Sequence, residues 1–110
     1  MSERHQRIES LLRELAASFV VTEANPDPLI TITRVSSAPD QRQATVYFTT
    51  IPETREQDAL IFLGRLAGAL RQHIKKHSDL KIIPHIVFAV DSGERARQHL
   101  DEVASKIENK

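Results

Sequence analysis

The residues most able to do chemistry in this chain lie between Arg65 and Lys81. Arg65, Arg71, Lys75, Lys76 and Lys81 face a single acid, Asp79, so the stretch carries a surplus of four positive charges. His73 and His77 lie within it. Cations in this density suit contacts to phosphate, the dominant source of affinity for nucleic acid. A solvated basic helix face is the competing reading, because charge runs on helices are common. Gly68 stands inside the same stretch, and a glycine within a helix points to a kink or to a close approach by another backbone. Arg34 and Arg42 are secondary candidates for the same contact, although an Arg in a strand or turn is usually solubilising.

Other patterns carry less. His73 and His77 have a spacing that can hold a metal, but position 74 is Ile, so the H-E-x-x-H motif is absent and no third ligand is near. No metal or cofactor is expected. His5, His85 and His99 are isolated and take no role. Asp91 resembles a nucleophile only in isolation; between a strand and a helix it reads as a helix cap. Gly64 and Gly68 form a G-x-x-x-G, but in a polar helix, which is not the membrane-dimer context. There is no G-x-S-x-G, no glycine-rich phosphate loop and no acid pair in a pocket context. Of the five aromatics, Phe19, Phe48, Phe62 and Phe88 read as core. Tyr47 alone reads as exposed, so a base-stacking sheet is not expected.

The whole chain bounds these readings. Its 110 residues make one domain, residues 1–110 with a core of about 4–107. Fifteen Lys and Arg balance fifteen Asp and Glu, which argues against a generic nucleic-acid coat. Hydrophobic residues are 40% and charged residues 27%, the balance of a globular domain and not of a disordered tail. Cysteine is absent, the first ten residues are polar, and no run approaches the ~20 apolar residues of a membrane span. A cytoplasmic monomer is the expectation.

The elements follow from periodicity. Ile8, Leu11, Leu12, Leu15, Ala16 and Phe19 fall on one helical face, with Ser2 as candidate N-cap. Asn25-Pro26-Asp27-Pro28 ends that helix. Leu29–Ser36 and Gln43–Thr50 are rich in β-branched residues and read as a hairpin-like antiparallel pair. Thr54 with Gln57 makes a capping box for a helix carrying Ala59, Leu63, Leu66, Ala67, Leu70 and Ile74. Leu80–Val90 reads as a third strand with Pro84 at an edge or bulge. Asp91 with Glu94 caps a last helix, with Ala96, Leu100, Val103 and Ile107 on one face. The order is α-β-β-α(kink)α-β-α, an α+β domain with a three-stranded mixed sheet and helices mainly on one face.

Four segments in this order resemble the bacterial ribosome-binding factor A family: the first helix from Arg4, Ile30–Thr50, Leu66–Asp91 and the last helix. The third is the most specific, keeping Gly68, Leu70, Arg71, Leu80, Lys81, Pro84, Phe88 and Asp91 in the family's spacing. The resemblance implies a type II KH-like fold. It further implies a non-catalytic factor that binds the free small ribosomal subunit and assists late 16S rRNA maturation near its 5′ end. Where most KH domains clamp RNA with a G-x-x-G loop, this family has an A-x-G kink. Here the triplet is Leu66-Ala67-Gly68, so the first alanine is Leu. The long polar C-terminal extension of some members is not matched. On this reading Arg65, Gly68, Arg71, Lys75, Lys76 and Lys81, with Arg34 and Arg42, are the RNA-binding residues, and assembly GTPases are candidate partners. The alternative is a KH-like protein-interaction module without RNA contact.

Overall fold

The computed structural model describes residues 3–24 and 28–93. Helix α1 (Glu3–Glu23) leads into strand β1 (Leu29–Ser37), which turns back into β2 (Gln43–Ile51). A 3-10 turn over Glu53–Arg55 starts helix α2 (Glu56–His77), and β3 (His85–Val90) closes the sheet. The strand order is β1-β2-β3, with β1 antiparallel and β3 parallel to the central β2.

Strand periodicity sorts the residues of the sheet. Ala44, Val46 and Phe48 point to the buried face of β2, and Ile32, Val35, Ile86 and Phe88 join them from its neighbours. Leu12, Ala16, Phe19 and Val20 of α1 and Ala59, Leu63, Leu70 and Ile74 of α2 meet them in one core. Both helices therefore cover the same face. Phe48 is fully enclosed on the central strand, and truncating such a residue costs about 3–5 kcal/mol.

Three expectations change. The kink at Gly68 is not a break: α2 is one helix of 22 residues running through it. Leu63, Leu70 and Ile74 stay in phase on one buried stripe, which an interruption at Gly68 would disturb. The third strand starts at His85, not Leu80, because Pro84 has no N–H for the ladder. No side chain caps α2 at its N-terminus, so Thr54 and Gln57 do not set it; the 3-10 turn leads in instead. Beyond Ser92 and Gly93, which are helical, the last helix lies outside the described residues, as does the Ser2 cap.

Candidate nucleic-acid interface

The geometry at the end of α2 begins with Ser78. Its hydroxyl donates to the Ile74 carbonyl at 2.7 Å, taking up one of the acceptors that a helix end leaves open. The chain then folds back along α2 as an irregular segment. Arg71 fastens that segment: its Nε and Nη2 donate to the Ile83 carbonyl at 3.3 and 3.1 Å. Immediately after Pro84, His85 N–H donates to the Arg42 carbonyl at 2.9 Å and starts the parallel ladder.

This path brings Arg42, Arg71, Lys81 and His85 around one open concavity of about 420 Å³, floored by Ile82 and Ile83. Arg42 comes from the β1–β2 turn, where Gln41 holds φ at 61° and Asp40 accepts the Arg42 N–H at 3.1 Å. Three cations from three separate parts of the chain thus face one space. A guanidinium has five N–H donors, and Arg71 uses two on Ile83, so the rest remain available to an acceptor.

The other candidates divide. Gly64, Gly68, Arg71 and Lys75 follow at intervals of four, three and four residues, so they form one stripe along α2. A Cβ at Gly64 or Gly68 would meet nothing within 4 Å. That stripe is bare backbone ending in two cations. Arg65 and Lys76 are exposed on the neighbouring outer face. Lys75, Lys76 and His77 also occupy the last turn, where positive charge complements the helix dipole by roughly 0.3–1 kcal/mol. Arg34 does not join the concavity. It lies on β1 over Tyr47 and beside Asp91.

Two further clusters have geometry that can be tested against chemistry. Ser37 Oγ lies 3.0 Å from His5 Nε2 and 3.2 Å from Glu9 Oε2, and Glu9 Oε2 lies 3.3 Å from the same Nε2. A nucleophilic triad needs the carboxylate on the ring nitrogen opposite the one facing the hydroxyl. Here both meet Nε2, and Glu9 also accepts the buried Ser37 N–H at 2.7 Å, so the cluster ties α1 to β1. The His73 and His77 rings lie 4.3 Å apart, tilted by 43°, and the Phe19 ring of α1 lies 5.4 Å from His73. Burial, and then the neighbouring His77, holds the His73 imidazole below its ordinary pKa. Among the described residues no three His, Cys, Asp or Glu converge as a metal site, and no helix is long and apolar enough to cross a membrane.

The opposite end of the molecule has a different character. Glu53, Glu56 and Asp58 stand at the start of α2, and Glu23 ends α1 without a basic residue in that turn. Val21, Leu29, Ile51 and Ile61 are exposed, and a cleft of about 180 Å³ is lined by Ala24, Pro28, Ile30, Arg55, Asp58, Ala59 and Phe62. That volume falls short of the roughly 300–1,000 Å³ of small-molecule sites. The zero net charge is thus spread unevenly, acidic where α2 begins and basic where it ends.

Reading the residues singly missed two placements. His85 received no role, and its position depends on where the ladder resumes after Pro84. Asp91, a cap candidate for a helix outside the described residues, also reaches Thr33 and Arg34 on β1, which no local pattern encodes.

Comparison with known proteins gives concordant matches. The family model described as ribosome-binding factor A matches residues 4–104. A ribosome-binding factor A from Nitrosococcus oceani is 36% identical over 101 residues, covering 86% of this chain and 78% of that one. In fold, the chain is similar to the crystal structure of ribosome-binding factor A from Thermus thermophilus, with TM-score 0.71 and 22% identity over 78% of this chain and 94% of that chain. A Thermus thermophilus ribosome-binding factor A homology model, fitted into a cryo-electron microscopy map of a 30S complex, has TM-score 0.66 and 21% identity, covering 76% and 90%.

Proposed function

The chain belongs to the ribosome-binding factor A family, and from that membership we propose that it is a non-catalytic factor that binds the free small ribosomal subunit and assists late 16S rRNA maturation near its 5′ end. The observation that carries the contact surface is the convergence of Arg42, Arg71 and Lys81, with His85, on one concavity. Phosphates spaced along folded RNA meet cations best when these are held apart at fixed positions, and here Arg71 and the β1–β2 turn hold them. The stripe Gly64-Gly68-Arg71-Lys75 continues the same surface and lets a backbone approach α2 closely. A relative's fit into a 30S complex supports the small subunit as the partner. The acidic end of α2 would repel RNA, which favours a single docking orientation. In this reading the domain works as a cytoplasmic monomer, with an assembly GTPase as a candidate partner.

Sedimentation tests it. The protein should travel with free small subunits and not with complete ribosomes. Changing Arg42, Arg71 and Lys81 together to Ala should weaken that association and flatten its salt dependence by a log–log slope of about 0.7–0.9 per lost phosphate contact. Unchanged association and slope would show the mapped surface to be wrong. The exposed apolar residues near the start of α2 favour a second reading, a protein-interaction module without RNA contact. A flat salt response of binding to 16S rRNA would select it.

A further inference from the structure

The face of the sheet turned away from the helices carries a constellation that the phosphate surface does not use. The β1–β2 register passes from Ile32↔Phe48 to Arg34↔Tyr47, so Thr33 is an extra residue in β1. A bulge of this kind re-aims the side chains around it. The Thr33 hydroxyl comes 2.6 Å from Asp91 Oδ2 and 3.3 Å from the Tyr47 carbonyl oxygen. Arg34 is brought beside Tyr47, with its guanidinium carbon 3.7 Å from the ring centroid. Asp91, just past β3, places Oδ2 3.4 Å from Arg34 Nε.

The exposures of the two partners differ sharply. The Asp91 side chain is 5% exposed and the Arg34 side chain 57%. The carboxylate is therefore fixed within the fold, while much of the guanidinium remains in water. Arg34 is restrained on one side by the tyrosine ring and at one edge by the acid. A free arginine must lose its side-chain freedom to order a ligand; this one is already ordered.

A planar cation seated on an aromatic ring and open to solvent is suited to one kind of partner. Unpaired RNA bases stack on aromatic rings and on guanidinium planes, and the cation adds attraction for the π-face. We propose that Arg34, seated on Tyr47 and held by Asp91, is a stacking site for one unpaired RNA base. The inference rests on the reading that the domain contacts RNA, and it adds a base contact on a face of the sheet separate from the phosphate contacts. A duplex, whose bases are already stacked, is not expected to use it.

The chain supplies its own reporter, because Tyr47 is its one tyrosine and tryptophan is absent. Intrinsic tyrosine emission of the full chain can be followed during titration with a short single-stranded RNA, the same strand with abasic positions, and a blunt RNA duplex. The single strand should quench Tyr47, and the abasic strand and the duplex should not. Arg34→Ala should weaken single-strand binding about ten-fold, the scale of one lost base stack. Arg34→Lys keeps the charge without the plane, so it should retain the salt slope but lose similar affinity. Tyr47→Phe keeps the ring and should bind as the parent does. Equal binding of intact and abasic strands, without a change in Tyr47 emission and with Arg34→Lys at parental affinity, would overturn the stacking site and leave the phosphate surface standing. No salt-dependent binding of any strand would overturn the RNA reading and the stacking site together.

Discussion

Arg71 and Ile83 are joined by two hydrogen bonds from one guanidinium to one carbonyl, at 3.1 and 3.3 Å. Arg71 therefore has two tasks: it contributes a charge to the concavity and it holds in place the segment bearing Lys81. Arg71→Lys separates them. The charge survives, but the fork that spans the carbonyl does not. The expected result is a small loss of stability, about 0.5–1.5 kcal/mol in urea denaturation. Association with the small subunit should weaken further than the retained charge would imply, while the salt slope stays near the parent's. Parental stability and binding in Arg71→Lys would assign the residue a role as point charge only.

Gly68 gives a prediction in which stability and binding move in opposite directions. The helix runs through it, and a Cβ there would enter open space. Gly68→Ala should therefore stabilise the domain, by about 0.5–1 kcal/mol. If RNA approaches the backbone at this point, the added methyl group should weaken association with the small subunit despite the firmer fold. Gain of stability with unchanged binding would remove Gly68 from the interface.

Much of the architecture was legible because the relevant signals are local. Ile8 to Phe19 repeat at helical spacing, Ala44, Val46 and Phe48 alternate, and Pro84 marks where the ladder cannot form. The elements followed from these; the KH-like fold was an expectation of the family resemblance alone. What remained hidden depends on tertiary placement. Thr54 and Gln57 have the spacing of a capping box, but the 3-10 turn at Glu53–Arg55 sets the start of α2. Gly68 signals a kink in isolation, yet Leu63, Leu70 and Ile74 continue the buried stripe across it. The basic stretch was visible as composition; its division into an inward concavity, a bare stripe and an outer face was not. Arg34, Tyr47 and Asp91 come from three strands or strand ends, and they meet across the sheet beside the bulge at Thr33.

Glu9 should prove to be a stability residue. Its Oε2 accepts the Ser37 N–H at 2.7 Å and lies 3.2 Å from the Ser37 hydroxyl, and Ser37 is buried. Glu9→Ala removes the acceptor and leaves a buried donor unsatisfied, at a cost of about 1–3 kcal/mol. Glu9→Gln keeps a carbonyl oxygen at that place and should cost less. Denaturant midpoints of the two variants check the order. Equal losses would mean that the charge on Glu9, and not its acceptor, holds α1 to β1.

His73 sets a pH dependence whose sign follows from its surroundings. The imidazole is half-buried between the helices, with the Phe19 ring at 5.4 Å and the His77 ring at 4.3 Å. Burial first, and His77 second, lower its pKa in the folded protein. In the unfolded chain the group returns to about 6.5. As pH falls through that value, the unfolded chain takes up a proton more readily than the folded one, so stability drops. The loss ends once pH is below the depressed folded value, and above about 6.5 the contribution is complete and flat. His73→Gln removes the titrating group while keeping a polar side chain of similar reach. Thermal midpoints taken at pH 7.5 and 5.5 should therefore differ more in the parent than in the variant, by a modest margin because the ring keeps part of its contact with water. Parent and variant falling equally over that interval would place the pH sensitivity elsewhere than at the α1–α2 contact.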